Sequence, residues 1–378
     1  MTFDRILVPA PVRAAVSDEA WLDAMLEVER ALAAAEARAG VIPPEAATAI
    51  AGACRAERLD AAAIWAAGKG PGNPVEPLVR ALRDEVGGEA ADHVHRGATS
   101  QDILDTAAML VARRALDLID EMLRAVAGEC ARLADEHRST PMAGRTLLQQ
   151  AVPTTFGLKA AGWLGGVLEA TRGLRRVRDE RLAVQLGGAA GTLAALGDAG
   201  PEVARLLAEE LGLRESAPWH TNRARIAELG AALGVVAGAA AKVGLDVALM
   251  SQTEVGEVAE AEGGRSSAMP HKRNSIGSVL AVACARLTNG HVSVLFSALP
   301  QEHERAAGAW HAEWPAISGA LAYTAGAADG ARRALAGLVV DPERMGTNLE
   351  PATDPAADVQ SAEQLVDRAL SAYRDELS

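Results

Sequence analysis

Residues 226–250 read IAELGAALGVVAGAAAKVGLDVALM, and their apolar residues recur alternately three and four positions apart. This is the spacing of a coiled-coil seam, sustained here over more than three heptads. It predicts a long helix within residues 221–262 whose apolar stripe packs against other helices of a large bundle. The stripe consists of Ile226, Leu229, Leu233, Val236, Ala240, Val243, Val247 and Met250.

A second face of the same predicted helix carries Gly230, Gly234 and Gly238, each four residues from the next. Glycine inside a helix costs about 1 kcal/mol relative to alanine. Three glycines in register therefore predict that the backbone of a neighbouring helix approaches closely along this face. A helix with two packing faces is typical of a bundle that also forms the core of an oligomer.

The rest of the chain is also predicted to be helical, because Ala, Leu, Glu and Arg dominate and few runs alternate in the manner of strands. We expect an all-α fold in three parts. These are a helical N-terminal domain over residues 1–105, a central long-helix bundle over 106–340 and a short helical tail over 341–378. Further helices are expected at 102–137, 153–182 (with Pro153 as its first residue), 201–211, 276–298 and 301–338.

The 378 residues include 37 Lys and Arg against 50 Asp and Glu, for a formal net charge of −13. An acidic chain is poorly suited to broad contact with nucleic acid or an anionic membrane, so we expect neither as a partner. An anionic substrate would need a locally basic pocket. Asp4 near the start, the lack of an apolar run of about 20 residues and three scattered cysteines favour a cytoplasmic protein without a signal sequence or disulfide framework.

The segment after the heptad helix, residues 263–274, reads GGRSSAMPHKRN. Its paired glycines, paired serines and basic side chains favour a mobile loop that attracts anions. Lys272 and Asn274 can bind a carboxylate together, the lysine through its charge and the amide as an orienting donor. A solvated connection between helices is the alternative.

A second candidate segment, residues 95–106, reads HRGATSQDILDT. Thr99 and Ser100 lie at the predicted start of a helix, where free backbone N–H groups and two hydroxyls suit a carboxylate. A simple N-cap is the alternative for this pair. His95 either polarises or positions a substrate, or it serves only as a residue that caps the helix.

These segments resemble conserved regions of the fumarase/aspartase superfamily. The SSxMPxKxN pattern of residues 266–274 resembles its signature, and residues 95–106 resemble its first conserved region. Residues 141–153, PMAGRTLLQQAVP, resemble the second. The resemblance implies an all-α homotetramer with a core of 20 helices, in which each active site takes its three regions from three different subunits.

The resemblance also implies roles for individual residues. Ser266 corresponds to the catalytic serine of the superfamily, which acts on the carbon next to a substrate carboxylate. Because serine is a weak base, Lys272 and the backbone amides of the loop would have to assist it. We expect a site without cofactor or metal in which His95 acts beside Ser266. The substrate-binding residues implied are Thr99, Ser100, Arg145, Gln149, Lys272, Asn274 and Arg305.

Leu147 stands where the fumarase, argininosuccinate lyase and adenylosuccinate lyase patterns have histidine. A departing amine needs a proton, whereas a carboxylate, with an ordinary pKa near 4, leaves as an anion. Residues 301–314, QEHERAAGAWHAEW, add a resemblance to the carboxymuconate cycloisomerase branch. That branch closes a small tricarboxylate to a lactone.

Two other functions stay open on the sequence. The first is a lyase that expels nitrite or ammonia from a substituted succinate, because aspartase-type enzymes also lack the histidine. Adenylosuccinate lyase is disfavoured, since Ala306, Gly308 and Trp310 cannot bind a phosphate. The second is a non-catalytic structural homologue, which the intact Ser266 and Lys272 disfavour.

Overall fold

The computed structural model describes residues 2–349, 359 and 361–377. As predicted, the fold is all-α, with 14 α-helices in the described part of the chain. The helices are α1 (Asp4–Leu7), α2 (Ala10–Ala15), α3 (Asp18–Arg38), α4 (Pro44–Ala53), α5 (Ala61–Ala67), α6 (Val75–Val86), α7 (Ser100–Glu136), α8 (Phe156–Glu180), α9 (Gly200–Leu211), α10 (Ala224–Met250), α11 (Ile276–Ser297), α12 (Ala309–Leu335), α13 (Pro342–Asn348) and α14 (Ala362–Leu377).

Five long helices, α7, α8, α10, α11 and α12, form the central bundle. Helix α11 packs against α10 and α12, α7 packs against α8 and α12, and α8 packs against α10. The N-terminal helix α3 and the C-terminal helix α14 both pack onto α7. Every residue of the predicted apolar stripe on α10 is 4% exposed or less, which confirms the heptad prediction.

The glycines of α10 contact a neighbouring helix at some positions but not at others. A Cβ at Gly230 would lie 3.0 Å from Leu295 Cδ1 on α11, whereas a Cβ at Gly238 would meet nothing within 4 Å. The neighbours of Gly230 and Gly234 are side chains, and Gly238 has none within 4 Å, so the described part of this chain does not show the predicted approach of a neighbouring backbone at these three glycines. The tightest crossing is at Gly244, where a Cβ would lie 2.8 Å from the carbonyl oxygen of Ser278.

A β-hairpin follows α7 where the sequence predicted a connection and the start of a helix. Strand β1 (Pro141–Thr146) pairs antiparallel with β2 (Gln149–Thr155), so Pro153 lies in a strand. Proline is tolerated there because β2 belongs to a two-stranded sheet and needs no second partner. The other short pairs are β3 (Val258–Ala259) with β6 (Val339–Val340) and β4 (Gly264–Arg265) with β5 (Arg273–Asn274).

Two predicted helices are too long. Helix α10 ends at Met250, and the chain continues as turns into β3. Helix α12 begins at Ala309, because Gly308 has a φ of 116°, which no helix accommodates. The domain boundaries at 105 and 340 stay predictions. Of the predicted tail, residues 350–358, 360 and 378 lie outside the described residues, and α13 and α14 occupy much of the rest.

Helices α10 and α11 are long and apolar enough to cross a membrane, judged by length and composition alone. In the most apolar 18-residue stretch of each helix, 44% is buried for α10 and 33% for α11. One chain therefore leaves a large apolar surface on these two helices uncovered. Its exposed large side chains are Val235, Leu245, Val279, Leu287 and Phe296.

Candidate active site

The first group of candidate residues lies where α7 begins. His95 and Thr99 precede Ser100, the first residue of α7, and His95 has a φ of 63°. Its Nδ1 lies 2.6 Å from Glu29 Oε1 on α3. Burial by itself lowers the pKa of His95, but neighbouring acids, chiefly the Glu29 carboxylate, outweigh burial and raise this pKa above its ordinary value. The pair therefore favours a positively charged imidazole.

Asp102, in the first turn of α7, bonds to several of the surrounding loops. It is buried, and its carboxylate lies 2.7 Å from His220 Nε2. It also accepts hydrogen bonds from the backbone N–H of Thr99 (3.0 Å), Gly187 (3.0 Å) and Gly188 (2.9 Å) and from the side chain of Gln185 (3.2 Å). A buried carboxylate requires such donors. The sequence marks Asp102 only as an acid near a predicted helix start, and no local pattern indicates these contacts.

Arg305 belongs to the same end of the molecule. Its Nη2 donates to the carbonyl oxygens of Ala189 at 2.9 Å and Gly188 at 3.4 Å. Gly188 packs against residues 95–106, which we call the first stretch. A Cβ at Gly188 would lie 2.9 Å from the carbonyl oxygen of Gly97. The turn at Gly188 and Ala189 thus places Arg305 near the start of α7.

A buried arginine connects α7 to α12 behind these residues. Arg223 donates to Asp105 through Nη1 (2.6 Å) and Nη2 (2.9 Å) and to Glu313 through Nε (3.0 Å). Trp310 Nε1 also donates to Asp105, at 3.0 Å. Burial raises the pKa of Glu313, although the nearby Arg223 opposes the shift. Sequence reasoning missed this network, because no pattern marks Arg223 as buried.

Residues 141–153, the second stretch, lie in the β1–β2 hairpin, which follows the C-terminal end of α7. Arg145 on β1 donates to both carboxylate oxygens of Glu257, at 2.9 and 2.6 Å, while Gln149 begins β2 and is exposed. The two tip residues, Leu147 and Leu148, have φ values of 51° and 66° and side chains 97% and 76% exposed. The tip thus presents apolar side chains away from its own chain, in a backbone conformation that costs about 1–3 kcal/mol per residue.

Residues 263–274, the third stretch, form a loop whose two ends pair as strands β4 and β5. Ser266 Oγ accepts hydrogen bonds from the backbone N–H of Ala268 (3.3 Å) and Met269 (3.1 Å). Two such donors favour the deprotonated form of a hydroxyl. The described residues show no contact between Lys272 and Ser266, so the predicted help from Lys272 stays a prediction. Asn274 lies on β5, and the basic side chains of Arg265, His271, Lys272 and Arg273 are exposed.

Glu260 anchors the base of this loop to the start of α11. Its carboxylate accepts hydrogen bonds from the backbone N–H of Gly277 (3.0 Å) and Ser278 (2.8 Å). An acid at a helix N-terminus also interacts favourably with the helix dipole. The loop is therefore held at its base, while its basic side chains project outward.

A single chain divides the candidate residues between two ends of the bundle. Helix α7 has 37 residues, so at 1.5 Å per residue about 55 Å separates Ser100 from the start of the hairpin. Helix α10 has 27 residues and spans about 40 Å from the Arg223 network toward the third stretch. His95, Thr99, Ser100 and Arg305 lie at one end. The second and third stretches lie at the other, where Arg145 contacts Glu257.

The all-α bundle and its three motif-bearing stretches define a lyase of the fumarase/aspartase type. The family model described as "Lyase" matches residues 5–289. Because this match covers most of the chain, the protein belongs to that lyase family.

Relatives named for two different reactions are similar to this chain. A 3-carboxy-cis,cis-muconate cycloisomerase from Pseudomonas aeruginosa is 48% identical over 354 residues, which are 92% of this chain and 77% of the relative. A nitrosuccinate lyase from Streptomyces davaonensis is 49% identical over 355 residues, or 90% and 75% of the two chains. The crystal structure of 3-carboxy-cis,cis-muconate lactonizing enzyme from Pseudomonas putida has a TM-score of 0.93 at 37% identity, covering 100% of this chain and 99% of that one.

Proposed function

We propose that this protein is a 3-carboxy-cis,cis-muconate cycloisomerase, which closes a small tricarboxylate to 4-carboxymuconolactone without a cofactor or metal. The observation that carries the proposal is Leu147. The hairpin tip offers no acid at this position, and an attacking or departing carboxylate requires none. The basic loop around Lys272 supplies positive charge for a trianion in an otherwise acidic chain. The similarity to the Pseudomonas enzymes supports the same reaction.

In lactone formation, an oxygen of one substrate carboxylate attacks a carbon of the diene. The displaced electron pair moves onto a neighbouring carboxylate, which becomes a dianionic aci-carboxylate held by Thr99, Ser100, Lys272 and Asn274. Ser266 then donates its proton to the carbon beside that group and regains a proton from solvent. One carboxylate becomes an ester, so each turnover takes up one proton at neutral pH.

The remaining candidate residues act around this centre. His95 and Arg305 bind the carboxylates that do not become the aci-carboxylate. Gln149 binds from the exposed hairpin. Arg145 reaches the substrate only with the N–H groups that Glu257 leaves unused, because Glu257 already engages Nη1 and Nη2.

The active form in this proposal is a homotetramer with a 20-helix core, in which three chains contribute to each site. The separation of about 55 Å along α7 supports this, since one chain cannot bring its first and second stretches together. The uncovered apolar faces of α10 and α11 and the exposed Leu147 tip are surfaces that further copies would cover. We place the enzyme in the cytoplasm, in the β-ketoadipate pathway of aromatic compound degradation.

Mixing inactive variants tests the shared site. Ser266→Ala and Thr99→Ala subunits, unfolded and refolded together, should regain part of the native activity, because some sites then combine an intact Ser266 with an intact Thr99 from another chain. The rate of loss of diene absorbance measures the recovery.

The matched control mixes Ser266→Ala with Lys272→Ala. Both changes lie in one loop, so every site receives one of the two defects and no activity should return. Recovery in this control, or full activity of a monomer in sedimentation experiments, would contradict the shared site.

Leu147→His tests the argument from the leaving group. Histidine adopts positive φ more readily than leucine, so the hairpin should fold normally. Lactone formation should not accelerate, because a carboxylate nucleophile has no proton to lose at pH 7. Leu148→His, at the other tip position, is the control for a polar group in the same turn. A marked gain in lactonisation by Leu147→His alone would show that an acid is needed there.

A lyase that expels nitrite is the second candidate, because the nitrosuccinate lyase relative is as similar to this chain as the cycloisomerases. The same protein should be assayed with carboxymuconate by diene absorbance and with nitrosuccinate, aspartate and adenylosuccinate by fumarate release. We expect turnover of carboxymuconate with proton uptake and no fumarate from the others. Fumarate from nitrosuccinate without lactone formation would replace the proposal by this second candidate.

A further inference from the structure

The contact between Glu29 and His95 joins α3 to the segment just before α7. Glu29 is 1% exposed and the His95 side chain 14% exposed. A hydrogen bond of 2.6 Å from Nδ1–H of the imidazole to Glu29 Oε1 determines which ring nitrogen faces the protein. The ring edge with Nε2 is then left for other partners.

His95 also lines a cavity of about 400 Å³. His95 and Ser100 line it together with two arginines and two acids of α6. The charged residues from α6 are Glu76, Arg80, Arg83 and Asp84. Glu76 and Asp84 offset the charge of the two arginines, so the groups left to attract a carboxylate are His95 and the start of α7.

The buried acid is more than a packing residue. Glu29 Oε2 is buried and has no hydrogen-bond partner among the residues that the structure describes. An unsatisfied buried carboxylate oxygen is destabilising, so stability alone does not explain an acid at this position. The cost is understandable if Glu29 acts through His95.

Charged groups reach His95 from three helices. Glu29 on α3 and Asp102 on α7 raise its pKa, while Arg83 on α6 and the burial of the ring lower it. Burial is the largest single effect, and the two acids together outweigh it. Removing Glu29 should therefore lower the pKa of His95.

We infer that Glu29 is a positioning residue that holds His95 through Nδ1 and keeps Nε2–H directed, as a cationic donor, at a substrate carboxylate in the cavity. The inference rests on the proposed function for the identity of the substrate. No proton is transferred in this role, since Ser266 handles the proton in the reaction. His95 instead supplies a positive charge and a hydrogen bond, both of which depend on Glu29.

The test combines NMR titration and kinetics on the full chain. With 13C at Cε1 of histidine, the protein gives eight histidine signals, and His95→Asn identifies the one from His95. The pKa of native His95 should lie above the ordinary histidine value of about 6.5. In Glu29→Gln, His95 should titrate at lower pH, because the amide keeps the shape but not the charge.

Glu36→Gln is the matched control. Glu36 lies on the same helix, is also 1% exposed and also has an unpaired carboxyl oxygen among the described residues. Burial, aided by the nearby Glu29, raises the pKa of Glu36 to about 9. It is therefore neutral at pH 7, and glutamine changes neither shape nor charge much. The pKa of His95 should be unchanged in this variant.

The kinetic signature separates this role from a structural one. Because the cationic imidazole binds substrate, the alkaline limb of the kcat/KM profile should move to lower pH in Glu29→Gln. For a pKa shift of one unit, kcat/KM should fall about tenfold at pH values above the pKa of His95. At pH values well below this pKa, kcat/KM should equal that of the native protein. A merely structural defect would lower activity equally at every pH.

Three results would overturn the inference. They are a native His95 that titrates at or below pH 6.5, a pKa unchanged by Glu29→Gln, and an alkaline limb that moves equally in Glu36→Gln. The titration of native His95 does not depend on the Glu29→Gln variant, so it tests the inference even if that variant fails to fold. The NMR titration also needs no substrate, so a protein inactive on carboxymuconate would refute the proposed function while the titration still decides the pairing.

Discussion

Ser266→Ala should lower kcat for lactone formation at least about 100-fold, the lower range for a positioned acid–base group. The alanine removes the proton donor itself and leaves the amides of Ala268 and Met269 without their shared acceptor. Thermal stability should change little, because the loop is largely exposed and a serine there contributes little packing. Steady-state rates from diene absorbance, together with a melting curve, measure both effects.

Ser267→Ala is the control for this variant. Ser267 is the neighbouring serine of the same pair and is exposed, so its removal changes the loop by the same number of atoms. Its kcat should stay near the native value. If Ser266→Ala also kept near-normal turnover, Ser266 would leave the mechanism and His95 would become the main candidate for proton transfer.

Arg223→Met should lower the free energy of unfolding by about 3–5 kcal/mol, the cost of removing one partner from a buried ionic network. Asp105 and Glu313 would then be two buried carboxylates without their shared cation. Methionine fills much of the volume, so the loss reports charge rather than a cavity. Denaturant unfolding at a fixed protein concentration gives the difference.

Arg205→Met is the matched control on the surface. Arg205 also bridges two acids, Glu202 and Glu209, but its side chain is 46% exposed. Water replaces its contacts, so the unfolding midpoint should barely change. Equal stability of the Arg223→Met and native proteins would show that the network does not hold α7 and α12 together.

Periodicity and motif determined much of this protein from the sequence alone. The three-four spacing of apolar residues predicted α10, because a stripe along one face of a helix can be buried only against other helices. The string from Ser266 to Asn274 indicated the family, since those residue types serve their chemistry at fixed spacing along the chain. It also predicts an anion-binding loop. Thr99 and Ser100 also predict the start of a helix, and α7 begins at Ser100.

Only the tertiary structure determined which side chains meet across long separations in sequence. Glu29 and His95 are 66 residues apart, and Arg145 and Glu257 are 112 apart. No local pattern marks such pairs, because burial of a charged group depends on the packing of distant helices. The β1–β2 hairpin was likewise hidden, since its strands gain stability by pairing with each other and Pro153 had suggested a helix start.

His95, Ser266 and Arg145 are all candidate residues from the sequence, but only the family resemblance, and no local pattern, predicts that they come from different subunits. The structure separates His95 from the other two by the length of the long helices, because a helix of 37 residues is a rigid spacer of about 55 Å. The chain's own sequence therefore determines the chemistry that each stretch can perform. Whether those stretches can act together is decided by the tertiary structure, which sets the first at one end of the bundle and the second and third at the other.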